Sequence, residues 1–180
     1  MSKVLVISTS LRAKSNSDIL TERLIAGAAD AGHQVEHVSL KGKTIQFCKG
    51  CLACQKTQKC VLNDDANIIA EKALAADTLV FVTPIYYYEM SGQMKTLLDR
   101  LNPLYPSDYQ FRNVYMMSVA AEDDPHAPDR AVSGLRGWIE CFEKASFAGS
   151  LFCGGINDPG EAAGRTDAQE KAYDFGRRLC

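Results

Sequence analysis

Four cysteines crowd into thirteen residues: Cys48-Lys49-Gly50-Cys51-Leu52-Ala53-Cys54, then Cys60. Thiolates are soft ligands, and a compact set spaced two, two and five residues apart suits a 4Fe-4S cluster. A zinc ribbon usually splits two pairs around a long insert. Zinc and free or redox-active thiols remain open readings of the same residues, whereas a disulfide framework does not suit a cytosolic chain of this size. The remaining three, Cys141, Cys153 and Cys180, read as small core or terminal residues.

A second polar group stands where an apolar run ends. Val4 to Ile7 is followed by Ser8, Thr9, Ser10, Arg12, Lys14, Ser15, Asn16 and Ser17, before an amphipathic segment starts at Asp18. One such Ser or Asn would cap a helix; six of them with an Arg among them exceed that need. Free backbone N–H groups, the helix dipole, hydroxyls and a guanidinium converge on an anion, and a phosphate fits. The dinucleotide pattern Gly-x-Gly-x-x-Gly does not follow the strand. Gly42-Lys43-Thr44 is not a Walker loop, because His37 stands where that pattern needs Gly and the stretch follows the second strand. A monophosphate held by hydroxyls is therefore expected.

The third signal is Thr83-Pro84-Ile85-Tyr86-Tyr87-Tyr88, at the end of another apolar run, Thr78 to Val82. Pro fixes the chain, aromatics can lie against a flat ring, and backbone N–H groups after the Pro can bond polar ring edges. One Tyr would merely cover the end of a sheet; three beside a phosphate loop favour a ring. The histidines, His33, His37 and His126, are scattered and offer no nucleophile pairing. Glu122, Asp123 and Asp124 read as a solvated loop.

These groups need a scaffold, and the periodicity supplies one. Strands are expected at Val4–Ile7, Gln34–Leu40, Thr78–Val82, Val114–Val119 and Phe147–Cys153. Helices are expected over Ser17–Ala31, Ala66–Ala75, Ser91–Leu101, Pro128–Lys144 and Thr166–Leu179. Residues 41–62 show neither period, a length of loop that compact domains keep for function. Alternating strands and helices imply an α/β fold, a parallel sheet covered on both faces, with the ligand beyond the carboxyl ends of its strands. The loops starting at Ser8, Thr83 and Ala120 should meet there.

At 180 residues, 46% hydrophobic and 23% charged, the chain reads as a single domain, 1–180, with a Cys-rich loop insertion at 41–62. A net charge of −2 gives no reason to expect nucleic acid or an anionic membrane as partner. No apolar run approaches a membrane span, and Met1-Ser2-Lys3 leads straight into a strand, so a cytoplasmic location is expected.

Ser10-Leu11-Arg12 with Ser15-Asn16-Ser17, then Thr83-Pro84-Ile85-Tyr86, then Met90-Ser91-Gly92-Gln93-Met94-Lys95 and Asp99-Arg100 together resemble the NAD(P)H-dependent FMN reductase family of the flavodoxin-like superfamily. The nearest branch is similar to the iron–sulfur flavoproteins. The resemblance implies a flavodoxin-like doubly wound sheet of five parallel strands in the order 2-1-3-4-5. It implies that Ser10, Arg12, Ser15, Asn16 and Ser17 hold the FMN phosphate, that Thr83, Pro84, Ile85 and Tyr86 line the isoalloxazine, and that the loop from Ser118 to Ala121 closes the other side. It also implies Cys48, Cys51, Cys54 and Cys60 as ligands of a 4Fe-4S cluster, and a homodimer or homotetramer. One departure is Glu122-Asp123-Asp124-Pro125, where relatives are small or Gly-rich.

The expected activity is an FMN-dependent oxidoreductase that uses NAD(P)H as co-substrate. It would pass electrons to a small-molecule acceptor (a quinone, a flavin or similar) or to the cluster. An electron-transfer iron–sulfur flavoprotein reduced by a ferredoxin-like redox protein partner is the first alternative. A non-enzymatic metal or thiol sensor is the second.

Overall fold

The computed structural model describes residues 1–179; Cys180 lies outside them. In chain order the elements are β1 (Lys3–Ser8), α1 (Asn16–Asp30), β2 (Gln34–Ser39), α2 (Cys54–Thr57), α3 (Asp65–Ala75), β3 (Thr78–Tyr86), β4 (Glu89–Met90), α4 (Gly92–Arg100), β5 (Asn113–Val119), α5 (Asp129–Ile139), β6 (Ser146–Cys153) and α6 (Thr166–Arg177). The parallel strands lie in the order β2-β1-β3-β5-β6, and β4 pairs antiparallel with the end of β3. Apart from β4, this is the expected flavodoxin-like order.

The short apolar runs behave as strands covered on both faces. Along β1, Val4 and Val6 join one core with Leu20 and Leu24 of α1 and Ala172 and Phe175 of α6. Leu5 and Ile7, pointing the other way, join a second core with Ile69 of α3, Met94 and Leu97 of α4, and Leu135 of α5. Among the described residues no helix is long and apolar enough to cross a membrane.

Most element ends fall within two residues of the sequence reading, but two differ by more and the short β4 and α2 are new. Thr83 to Tyr86, read as a loop, continues β3, pairing Thr83 with Ser118 and Pro84 with Val119 before Tyr87 and Tyr88 turn the chain into β4. Proline is tolerated there because β1 ends opposite Val82, so that side of β3 has no ladder left to interrupt. The helix expected to reach Lys144 stops at Ile139, and residues beyond it follow i→i+3 turns such as Phe142 N–H to the Ile139 carbonyl. Within 41–62 a single helical turn, α2, forms at Cys54.

α1 and α6 touch backbone to backbone. A Cβ on Gly27 would lie 2.0 Å from the Tyr173 carbonyl oxygen, and one on Gly176 would lie 2.0 Å from that of Leu24. In a helix interior alanine is ordinarily favoured over glycine by about 1 kcal/mol, but the clash reverses the sign. Gly27→Ala is expected to lower stability by about 1–3 kcal/mol, the usual cost of overpacking. Gly137→Ala in α5, where nothing lies within 4 Å of the new methyl, should be neutral or stabilising in the same denaturant titration.

Candidate functional site

The first loop is built outward from buried hydroxyls. Thr9, just past β1, donates its backbone N–H to the Val82 carbonyl (2.9 Å), and its hydroxyl meets Ser91 Oγ at 3.0 Å. Thr83 Oγ1 accepts the Ser91 N–H at 3.0 Å and lies 3.2 Å from Ser91 Oγ, which caps α4 by accepting from Met94 N–H. Thr9, Thr83 and Ser91 are all fully buried. The three hydroxyls bond one another and nearby carbonyls, which ties the three segments together. Ser91, which the sequence offers only as part of a motif and as a helix start, is a positioning residue.

Ser15 caps α1, its Oγ accepting from Asp18 N–H at 3.2 Å. The first-turn N–H groups at Asn16 and Ser17 have no intrahelical acceptor, as at any helix start. Asn16 ties this helix start to the chain after β6: its Nδ2 donates to the Asp158 carbonyl (2.8 Å) and its Oδ1 accepts from Ala162 N–H (3.0 Å). The exposed Arg12 donates through Nη1 to the Asn157 carbonyl at 2.7 Å. Asn157 and Asp158 are fixed in turn by Glu161, which accepts both their N–H groups; the Asp158 and Asn157 N–H groups hold its carboxyl below the usual value.

One hollow at the carboxyl ends of the strands gathers Ser10, Arg12, Ser15 and Asn16 from the first loop with Pro84, Ile85 and Tyr86 from β3. Val119 at the end of β5, Ala121 just past it, and Ile156 and Asn157 after β6 complete its wall. Ser17, Thr83 and Ser118 are buried and stand outside that lining. Ile156 and Asn157 fall between the expected strand ending at Cys153 and the expected helix starting at Thr166, where periodicity singles out no residue. The turn residues Asn157-Asp158-Pro159-Gly160 were the available signal. On the other flank of the first loop, Leu11, Ile45, Phe47 and Thr96 line a larger, more apolar hollow of about 380 Å³. The acidic stretch Glu122–Asp124 is exposed, and the Glu122 carbonyl would lie 2.7 Å from a Cβ on Gly154, which explains the glycine.

The β3–β4 turn is strained. Tyr87 (φ 52°) and Tyr88 (φ 65°) both occupy the left-handed region, which two-residue hairpins normally fill with Asn-Gly. Such positions cost about 1–3 kcal/mol each and persist at functional sites. Tyr87→Asn with Tyr88→Gly is expected to raise stability by about 1–2 kcal/mol on these figures. The same pair should weaken the binding of any ring seated beside Tyr86, read by comparing melting temperature with flavin affinity.

The four clustered cysteines line a third hollow with Arg100, Asn102 and Pro103. Cys48 and Cys51 are exposed, Cys60 is half-buried and Cys54 is buried. No three donors among the described residues close to the geometry of one metal ion. Four thiols lining one hollow are the kind of soft donor set that an iron–sulfur cube takes. Of the other cysteines, Cys153 is buried, and burial pushes its thiol up to about 11. Cys141, expected in the core, is instead exposed just past the end of α5.

The model of the family described as NADPH-dependent FMN reductase matches residues 2–152. An iron–sulfur flavoprotein of Methanocaldococcus jannaschii is 30% identical over 97% of this chain and 89% of its own. A Bacillus subtilis protein named as an NAD(P)H-dependent FMN-containing oxidoreductase is 30% identical over 98% of this chain and 96% of its own. Among solved structures, the NAD(P)H:quinone oxidoreductase from Methanothermobacter marburgensis superposes with a TM-score of 0.78 at 19% identity, covering 99% of this chain and 96% of that one.

Proposed function

The chain belongs to the NADPH-dependent FMN reductase family, and we propose that it is an FMN-dependent oxidoreductase drawing electrons from NAD(P)H and delivering them to a small acceptor such as a quinone or another flavin. The observation that carries this reading is the hollow at the strand ends, where a hydroxyl loop, Arg12 and the Pro84–Tyr86 segment meet. In this reading Ser10, Arg12, Ser15, Asn16 and Ser17 hold the phosphate. Thr83, Pro84, Ile85 and Tyr86 support the ring, and the Ser118–Ala121 stretch flanks its far side. Bound FMN supplies the redox chemistry, accepting a hydride and releasing electrons. The protein contributes a fixed anion grip and the Ile85 and Tyr86 amides near the polar ring edge. Residues 1–180 work as one unit bearing 41–62 as an insertion, assembled as a homo-oligomer in the cytoplasm.

A second reading, an electron-transfer flavoprotein fed by a redox partner, is favoured by the single hollow that gathers all four thiols. In that reading Cys48, Cys51, Cys54 and Cys60 hold a 4Fe-4S cluster. Anaerobic absorbance separates the two: NADPH or NADH alone should bleach the FMN-loaded protein. Bleaching only after a reduced ferredoxin is added would transfer the conclusion to the second reading.

A further inference from the structure

Arg100 has more donors than its fold needs. Its side chain is completely buried. Nη1 donates to the Gln46 carbonyl (2.8 Å) and Asp64 Oδ2 (2.7 Å), and Nη2 donates to the Leu62 carbonyl (3.2 Å) and Asp64 Oδ1 (2.8 Å). Gln46 and Leu62 bracket the four cysteines, so this guanidinium clamps the neck of the Cys-rich segment. The fifth donor, Nε–H, is buried and makes no hydrogen bond, while Cys60 stands against the guanidinium and helps hold its charge. An orphaned buried donor costs about 1–3 kcal/mol, and a native structure that keeps one invites a functional explanation.

The explanation lies in the hollow that Arg100 lines together with all four thiols. A second buried-side donor points the same way: Asn102 Nδ2 donates to Cys54 Sγ at 3.2 Å. A neutral thiol is a weak acceptor, whereas a metal-bound thiolate or sulfide is a good one. When an electron enters an iron–sulfur centre, the charge on its sulfurs grows and N–H···S bonds to them strengthen. Donors aimed at those sulfurs therefore raise the reduction potential.

We propose that Arg100 through Nε–H and Asn102 through Nδ2–H are positioning residues that donate to the sulfurs of an iron–sulfur centre held by Cys48, Cys51, Cys54 and Cys60, and so raise its reduction potential. This rests on the cluster reading of the cysteines given above. The change is the gain of one electron by the centre from an external reductant, with no bond made or broken at either residue.

The test loads the full chain with ferrous iron and sulfide under anoxia and titrates it with dithionite, monitored by electron paramagnetic resonance. Asn102→Leu, which keeps the bulk and removes the donor, should lower the midpoint by about 59 mV or more, a tenfold shift in the one-electron equilibrium. Its melting temperature without metal should be unchanged. Arg100→Lys should lower the midpoint further, and if it does not fold, Asn102→Leu decides alone. Loaded variants with the wild-type potential overturn this inference and leave the cluster reading standing. A wild-type chain that takes up no iron with sulfide, or only zinc, overturns both.

Discussion

Asp64→Ala is expected to lower the stability of this protein by about 3–5 kcal/mol, the cost of leaving one charge of a buried pair without its partner. Asp64 is only 3% exposed, and its two oxygens take a bidentate pair of bonds from Arg100. The same carboxylate accepts Gln46 N–H at 2.8 Å and caps α3 through Ala66 N–H at 3.1 Å. Removal therefore strands a buried guanidinium, uncaps a helix and opens the neck of the Cys-rich segment together. By contrast the Lys59–Glu71 pair is about two-thirds exposed on both sides, and Lys59→Ala should move stability by less than about 0.5 kcal/mol. Chemical denaturation of the two variants in parallel checks both figures.

The same carboxylate sets a pH dependence. Burial pushes the Asp64 carboxyl up, but the bonds from Arg100, Gln46 and Ala66 outweigh it and hold it below the ordinary value. A carboxyl lower in the folded than in the unfolded chain contributes fully above the unfolded value of about 3.9 and loses its contribution as pH falls through the folded value. Acid unfolding of the wild type should steepen below pH about 4. Asp64→Ala should flatten that part of the curve.

Arg12→Glu is expected to weaken FMN binding by about tenfold to a hundredfold. A charge-assisted hydrogen bond contributes about 1.5–3 kcal/mol, each 1.4 kcal/mol is tenfold in affinity, and a carboxylate in place of the guanidinium adds repulsion of the phosphate. Arg12 is held in place by its bond to the Asn157 carbonyl, so Arg12→Lys keeps the charge and loses the fork. It should fall between the two. Because Arg12 is exposed, the difference between wild type and Arg12→Glu should shrink with added salt. Riboflavin, which has no phosphate, should bind wild type and variant alike. Fluorescence titration at two ionic strengths measures all of this.

Much of the scaffold was readable because local pattern and tertiary role coincide. Val4–Ile7 and Leu79–Val82 are apolar at every position because both faces of a central strand are covered, and Ser15 is a residue type that favours a helix start, which it caps here. The β3–β4 hairpin was not readable, because Pro84 argues against a strand and Tyr87-Tyr88 lacks the residues a tight turn prefers. The turn is held by the register of its neighbours, against local preference. Arg100 and Asp64 lie 36 residues apart, and nothing at either position advertises a buried pair. The close approach of α1 and α6 depends on Gly27 and Gly176, which in sequence look like ordinary helix weaknesses. Asn157 entered the site through a crossing of chain segments that periodicity does not describe.

The central claim is that the hydroxyl loop after β1 grips the phosphate of FMN. Titrating the flavin-free protein with FMN while following its melting temperature tests it most directly. Saturation at one FMN per chain is expected. At a hundredfold excess over the dissociation constant, stability should rise by about 2.7 kcal/mol, which for a chain of this size is about 5–10 °C. A melting temperature that FMN leaves unmoved, with no flavin bound at saturation, would contradict the account.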